Sequence, residues 1–185
     1  MLIIMHGFSG TGKSVIAKKL SETTHFTLFQ SDVIRKEIAG LYKVNRDYTA
    51  YDRGIYTKDF SDKTYETMLE YASAKLKKNQ TVILDATFGR KKYRDSAIQK
   101  AKSFNLPLFI INCRLPENLI KERLIKRELE NKDISDATWE IYLKQKENFE
   151  DLSKEEENLS VNLNVENDLT LNVKIILSKI SEIMN

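Results

Sequence analysis

Five short apolar runs alternate with longer segments of helical spacing, and this alternation constrains the fold more than any other feature of the chain. The apolar runs are Leu2–Met5, Thr27–Gln30, Thr81–Leu84, Leu108–Cys113 and Ser160–Val165. The helical segments are Lys13–Thr23, Val33–Ala39, Ser61–Lys78, Lys91–Ser103, Pro116–Glu130, Ser135–Leu152 and Leu169–Met184. Strands that alternate with helices form parallel sheets covered on both faces. We therefore predict an α/β fold, a three-layer α/β/α sandwich with a five-stranded parallel sheet.

A glycine-rich segment joins the first apolar run to the first helical segment. Residues 7–14, GFSGTGKS, fit the pattern G-x-x-x-x-G-K-[ST] of a phosphate-binding loop, with a strand before it and a helix after it. Such a loop turns its backbone N–H groups toward a triphosphate. This predicts ATP binding, with Lys13 on the β- and γ-phosphates and Ser14 on Mg²⁺. The expected nucleotide contacts are Gly7, Ser9, Gly10, Thr11, Gly12, Lys13 and Ser14.

The loop alone does not decide between classes of nucleotide-binding protein, and a glycine-rich turn with an incidental lysine is the plain alternative. No guanine-reading N-K-x-D follows a strand, which disfavours a GTPase. Transporter ATPases need a long insertion, and the chain has only 185 residues. A kinase fits these observations best.

Two carboxylates follow predicted strands, where open α/β sheets bind ligands. Asp32 follows the second strand, and Arg35 lies one helical turn further on the same face. Asp32 could take the proton of an attacking hydroxyl while Arg35 holds an anionic part of the acceptor. Alternatively, Asp32 or Ser31 simply caps the next helix.

The third strand also ends in a carboxylate. Asp85 there could position Mg²⁺ or orient the acceptor, and Thr87 could supply a hydroxyl to the substrate. A strand-terminal aspartate that closes a turn is the alternative.

A pair of arginines follows the fourth strand. Arg123 and Arg127 are four residues apart on one predicted helix, so both can reach the same anion. Kinases bring arginines over the transferring phosphoryl group, which predicts a catalytic role. A solvated charged face would show the same spacing.

These motifs together resemble the small P-loop kinase family over most of residues 1–150. The motifs, in order, are GFSGTGKS, SDVIRK, YDRGIYT, VILDATFGRKKYRD, ERLIKRE and ISDATW. The pattern D-x-x-R at Asp32 and Arg35 is also similar to 5′-hydroxyl polynucleotide kinases, and zeta-toxin and gluconate-kinase types share the architecture. The resemblance implies an ATP:hydroxyl phosphotransferase of the nucleoside-monophosphate-kinase type, with Asp32 as general base. It also implies an acceptor segment at 40–60 and lid helices at 116–150.

Two clusters bear on the acceptor. A basic run joins Arg90, Lys91, Lys92 and Arg94, and a second cluster combines aromatic and basic side chains: Tyr42, Lys43, Arg46, Tyr48, Tyr51 and Arg53. Of the second cluster, Tyr51 and Arg53 are the predicted acceptor contacts. The clusters suit an anionic or nucleic-acid acceptor, but an ordinary helix start and a tyrosine-rich lid over a small substrate would look alike.

Composition bounds the remaining possibilities. The net charge of +3 demands neither nucleic acid nor membrane, and the lone Cys113 in an apolar run reads as a small buried hydrophobe. The N-terminus lacks a signal-peptide pattern. We expect one cytoplasmic domain over 1–185, monomeric or homodimeric, that phosphorylates a hydroxyl of a small molecule. A 5′-hydroxyl polynucleotide kinase and an ATP-binding regulatory protein with weak ATPase activity are the alternatives.

Overall fold

The computed structural model describes residues 1–40, 57–130 and 137–184. Within these residues the chain alternates between strands and helices, as its apolar pattern predicts. The strands are β1 (Leu2–His6), β2 (Thr27–Gln30), β3 (Val82–Asp85), β4 (Leu108–Arg114) and β5 (Ser160–Asn164). The helices are α1 (Lys13–Thr24), α2 (Ser31–Ile38), α3 (Lys58–Leu76), α4 (Lys91–Ser103), α5 (Glu117–Glu130), α6 (Trp139–Glu147), α7 (Lys154–Glu157) and α8 (Leu169–Met184).

The five strands form one parallel sheet in the order β2-β3-β1-β4-β5. The order reverses beside β1, which pairs with β3 on one side and with β4 on the other. Ligands bind at such a switch point, outside the carboxyl ends of the strands. The predicted α/β class and the five-stranded parallel sheet are confirmed.

Strand pleating distributes the core between the two faces of the sheet. Leu2 and Ile4 of β1 point to one face, where they join apolar side chains of α3 and α4. Ile3 and Met5 point to the other face and pack with α1 and α8. All four side chains are fully buried. The alternation explains why β1 is apolar throughout: it is covered on both sides.

A third apolar cluster lies outside the sheet, between α5 and α6. Ile120 and Leu124 of α5 pack with Tyr142 of α6, and Phe8 of the glycine-rich loop packs against them. We call this helix pair the α5–α6 lid. Its core therefore includes a side chain of the loop itself.

The predicted helix Ser135–Leu152 is wrong in its extent. Within the described residues, α6 begins after its N-cap Thr138 and ends at Glu147. The chain then passes Phe149 before Ser153 starts α7 with a capping box completed by Glu156. The ring of Phe149 stacks on Phe8, and this tertiary contact replaces the continued helix that local spacing suggests.

Two further observations concern Cys113 and the character of the helices. Burial raises the pKa of the Cys113 thiol to about 12, which agrees with a small buried hydrophobe rather than a nucleophile. Across the described stretches, none of the helices combines the length and the apolar character that a membrane crossing requires.

Candidate active site

The glycine-rich loop joins β1 to α1 with a backbone that only glycine accommodates at two places. At Gly7, φ is 136° and an added Cβ would lie 2.5 Å from the Cys113 carbonyl oxygen. At Gly12, the N-cap of α1, φ is 93° and an added Cβ would meet the side chain of Val165 at 2.8 Å. The loop is thus fixed by close packing against the backbone of β4 and against the side chain of Val165, just after β5.

The side chain of Lys13, the first residue of α1, points back into this loop. Its Nζ donates to the Phe8 carbonyl oxygen at 2.7 Å, and the Thr11 hydroxyl donates to the same oxygen at 2.8 Å. Burial lowers the pKa of Lys13, while the nearby carboxylates Asp85 and Asp32 act in the opposite direction. The ammonium group is therefore held in the loop interior, where a bound phosphate could take the place of the Phe8 carbonyl.

The two predicted carboxylates line one cleft with the loop. This cleft, the main cleft, has a volume of about 750 Å³, and Asp32, Asp85, Lys13 and Ser14 all line it. Asp85 is buried at the end of β3 and accepts a hydrogen bond of 3.1 Å from the Gln30 amide. The structure thus brings the carboxylates and the loop together, as the sequence predicts.

The capping alternative for Asp32 is not what the structure shows. Gln30 is the N-cap of α2, and its side chain makes no capping hydrogen bond. Ser31 and Asp32 are both inside the first turn, where a negative charge is stabilised by the helix dipole. From this position Asp32 lines the main cleft.

Arg35 and Thr87 line the main cleft, and side chains of α3 contact both of them. Arg35 Nη1 donates to the Ser61 hydroxyl at 3.3 Å, and the Thr87 hydroxyl lies 3.2 Å from the Tyr65 phenol oxygen. Burial raises the pKa of Tyr65, so its phenol stays neutral. The Thr87 carbonyl also accepts from the Gly7 amide at 3.2 Å. Thr87 is therefore fixed to the loop through its backbone.

The two predicted arginines border different numbers of cavities. Arg123 and Arg127 both line a second space of about 430 Å³, the side cavity, together with Val15, Val165 and Leu169. Arg127 also lines the main cleft, whereas Arg123 does not. The shared helical face is confirmed, but only Arg127 borders both spaces.

Arg94 departs from the expectation that it joins a basic acceptor-binding run. Its side chain is fully buried, with Nε 2.7 Å and Nη2 3.1 Å from the Glu156 carboxylate. Carbonyl oxygens of Phe88, Glu150 and Asp151 accept its remaining hydrogen bonds. Burial acts to raise the pKa of Glu156, but the hydrogen bonds and charge of the Arg94 guanidinium hold it below its ordinary value. Arg94 is a structural residue.

Sequence reasoning missed the residues that join the lid to the loop. The Gln145 amide of α6 donates to the Ser9 hydroxyl at 3.0 Å and accepts from the Ser9 backbone amide at 3.2 Å. Phe149 stacks on Phe8 with ring centroids 3.9 Å apart, and its ring covers Gly89. No motif marks Gln145 or Phe149. The spacing Ser153-x-x-Glu156, a capping box, could have revealed the start of α7.

Ser14 and Asp85 suit Mg²⁺ by their donor chemistry. Magnesium takes oxygen ligands and is commonly held by few protein groups together with substrate phosphates. A hydroxyl and a carboxylate on one cleft meet this requirement, whereas the described residues contain no group of three metal-ligating side chains. The predicted acceptor contacts Tyr51 and Arg53 lie outside the described residues, as do Tyr42, Lys43, Arg46 and Tyr48.

Known proteins share this architecture. A protein-family profile described as an AAA domain matches residues 2–152. An uncharacterized protein of Mycobacterium tuberculosis is 26% identical over 140 residues, which cover 76% of this chain and 28% of the relative. The chain thus spans less than a third of the length of that relative.

Two solved structures show the same fold. A gluconokinase from Sinorhizobium meliloti superposes with a TM-score of 0.67 at 18% identity, covering 98% of this chain and 91% of the other. Kti12 from Chaetomium thermophilum, in complex with ADP-AlF3, gives a TM-score of 0.73 at 15% identity and covers 98% of both chains. The predicted resemblance to small P-loop kinases is confirmed at the level of the fold.

Proposed function

Because the chain belongs to the AAA domain family and has the fold of P-loop kinases, we propose that it transfers the γ-phosphoryl group of ATP to a hydroxyl of a small molecule. One observation carries the proposal: Lys13, Ser14 and Asp32 line the same main cleft, with Arg127 at its border with the side cavity. A phosphate-binding loop thus faces a carboxylate across a space large enough for an acceptor.

The side cavity suits the nucleoside. It is lined by apolar side chains of Val15, Ile16, Val165 and Leu169, and it shares Gly10 and Gly12 with the main cleft. A nucleotide whose base occupies the side cavity would place its phosphates on the loop. Its γ-phosphate would then face the main cleft.

The chemistry follows from these positions. Asp32 accepts the proton of the acceptor hydroxyl, whose oxygen forms a bond to the γ-phosphorus while the bond to the β–γ bridging oxygen breaks and ADP leaves. Lys13 and Arg127 stabilise the charge on the phosphoryl oxygens. Ser14 and Asp85 are the residues that would hold Mg²⁺, which neutralises phosphate charge when bound. Thr87 and Arg35 orient the acceptor.

The test uses γ-labelled ATP with sugars, nucleosides, their monophosphates, aminoglycosides and 5′-hydroxyl oligonucleotides as acceptors. We expect at least one small hydroxyl compound to gain label. Exclusive labelling of oligonucleotides would favour the polynucleotide-kinase alternative. Transfer to water alone would contradict the proposal and favour an ATP-binding regulatory protein.

An Asp32→Asn variant tests the proposed base. Transfer should fall by roughly 10²–10⁴-fold, the usual contribution of a general base, with ATP affinity retained. Asp95→Asn is the matched control, because the Asp95 carboxylate on α4 is about half exposed (49%) and lies outside the cleft lining. Unchanged transfer by Asp32→Asn would remove Asp32 from its role.

A further inference from the structure

The walls of the main cleft are strongly cationic. Among the described lining residues, seven carry a positive charge: Lys13, Lys18, Arg35, Lys58, Arg90, Lys92 and Arg127. Among the same described lining residues, only Asp32 and Asp85 carry a negative charge. The chain as a whole has a net charge of only +3, so the cleft concentrates positive charge beyond what composition requires.

The proposed transfer reaction accounts for part of this charge. Lys13 and Arg127 border the loop and would face the triphosphate. The remaining cations include a group contributed by the amino ends of α3 and α4: Lys58, Arg90 and Lys92. We call these three residues the basic rim. A neutral acceptor would leave the basic rim without a function in binding.

A contact between α3 and α4 fixes Lys92 of the basic rim. Lys92 forms an ion pair with Asp62 of α3, and the Tyr93 hydroxyl donates to the same carboxylate at 2.6 Å. Burial is the largest single influence on the Asp62 carboxyl and acts to raise its pKa, but these two hydrogen bonds and the charges of Lys92 and Lys58 together keep the pKa below its ordinary value. One carboxylate thus interacts with two of the three cations, and the rim keeps an excess of positive charge.

Two aromatic rings lie beside the basic rim. The rings of Tyr65 and Tyr93 stack 3.7 Å apart at an angle of 10°, and both residues line the main cleft. Tyr65 is buried, and Lys92 Nζ lies 4.7 Å from the centre of the Tyr93 ring. The stacked rings therefore help to hold the Lys92 ammonium group in place.

We infer that the acceptor is itself a small phosphorylated compound, whose hydroxyl faces Asp32 and whose phosphate binds the basic rim. The inference rests on the proposed function, in which the main cleft binds the hydroxyl acceptor. A phosphate monoester carries about −1.5 to −2 charges and three acceptor oxygens, and it matches several cations better than a carboxylate does. Sugar phosphates and nucleoside monophosphates share this chemistry.

Binding measured without turnover separates this inference from the proposed function. Glucose 6-phosphate is compared with glucose, ribose 5-phosphate with ribose, and adenosine 3′-monophosphate with adenosine, by calorimetry with a non-hydrolysable ATP analogue present. In at least one pair, we expect the phosphorylated member to bind at least tenfold more tightly, as one charge-assisted hydrogen bond implies. Equal affinities within every pair would overturn the inference, even if the enzyme phosphorylates a neutral compound.

Two double variants locate the phosphate. Lys58→Gln with Arg90→Gln removes two charges from the rim and should reduce the preference for the phosphorylated member to less than about threefold. Lys77→Gln with Lys102→Gln removes the same charge from exposed positions at the far ends of α3 and α4, and it should leave the preference unchanged. Equal losses in both double variants would contradict a specific rim site.

Transfer from γ-labelled ATP then distinguishes which class of phosphorylated compound is the acceptor. Transfer to a sugar phosphate or to a nucleoside monophosphate identifies the class of acceptor. A 5′-hydroxyl oligonucleotide that binds and is labelled in preference to every small phosphorylated compound would overturn the assignment to a small acceptor.

Discussion

The two walls of the main cleft are built by different means. We call the side formed by the glycine-rich loop the nucleotide wall and the side formed by α3 and α4 the acceptor wall, after the ligands proposed to bind there. In the nucleotide wall, a Cβ added at Gly7 would meet the Cys113 carbonyl oxygen of β4, and one at Gly12 would meet the Val165 side chain. The acceptor wall is supported by side-chain polar contacts, among them the buried pair of Arg94 and Glu156. Backbone packing leaves glycines in the sequence as a signal, whereas polar contacts between distant residues leave none. This difference decides which wall the sequence can predict.

The largest expected effect tests the acceptor wall. Arg94→Met removes the partner of a buried carboxylate, so we expect the free energy of unfolding to fall by about 3–5 kcal/mol, as for other broken buried pairs. Urea denaturation measures it. Lys91→Met is the matched control on the same helix: the Lys91–Asp95 pair is exposed, so solvent screens it and its loss should change stability far less. Equal effects would contradict the buried-contact account of this wall.

The nucleotide wall is tested by Gly7→Ala. The new Cβ would meet the Cys113 carbonyl oxygen at 2.5 Å in a strained backbone conformation, so we expect a loss of about 3 kcal/mol in unfolding free energy and weaker ATP binding. Gly40→Ala is the control for backbone strain alone. Gly40 has φ 69°, and no atom of the described residues lies within 4 Å of an added Cβ, so the cost should be about 1 kcal/mol. Similar losses at both positions would show that close packing at Gly7 does not matter.

Lowering the pH should reduce the stability of the folded protein through His6, the last residue of β1. Burial lowers the pKa of His6 to about 4, with the charges of Arg94 and Lys13 acting in the same direction and the hydrogen bond to Asn112 against them. Below pH 6.5 the unfolded chain takes up a proton that the folded protein does not, so stability falls as pH drops from 6.5 toward 4. The loss at pH 5 should be about 2 kcal/mol.

Urea denaturation at a series of pH values checks this dependence, with His6→Gln as the comparison. The variant lacks the titrating ring, so its stability should change less between pH 6.5 and pH 5. Parallel pH profiles for the two proteins would exclude His6 as the source.

The smallest expected effect concerns the lid contact between the walls. Gln145→Ala removes two hydrogen bonds to Ser9, and we expect a loss of about 1 kcal/mol in unfolding free energy by thermal denaturation. Gln99→Ala is the matched control, since Gln99 is exposed on α4 and its truncation should change stability by less than about 0.5 kcal/mol. A loss no larger than that of the control would mean that the lid is held by its apolar contacts alone.

The same contrast explains what the sequence could predict. The loop, Asp32 and Asp85 follow strand ends, so periodicity and one local motif place them correctly around a common cleft. The role of Arg94 depends on Glu156, 62 residues later in the chain, and no local pattern relates the two. Helix Ser135–Leu152 was predicted as continuous for a similar reason: the contact that ends it joins Phe149 to Phe8, far away in sequence.

One ring mechanically couples the two walls. Phe149 stacks on Phe8, whose carbonyl receives Lys13, and it also covers Gly89 just before the basic rim. An added Cβ at Gly89 would lie 2.6 Å from that ring. A single methyl group at this position would therefore displace the ring and disturb its contact with Phe8, next to the carbonyl that receives Lys13. The missing side chain at Gly89 thus sets the spacing between the loop and the start of α4.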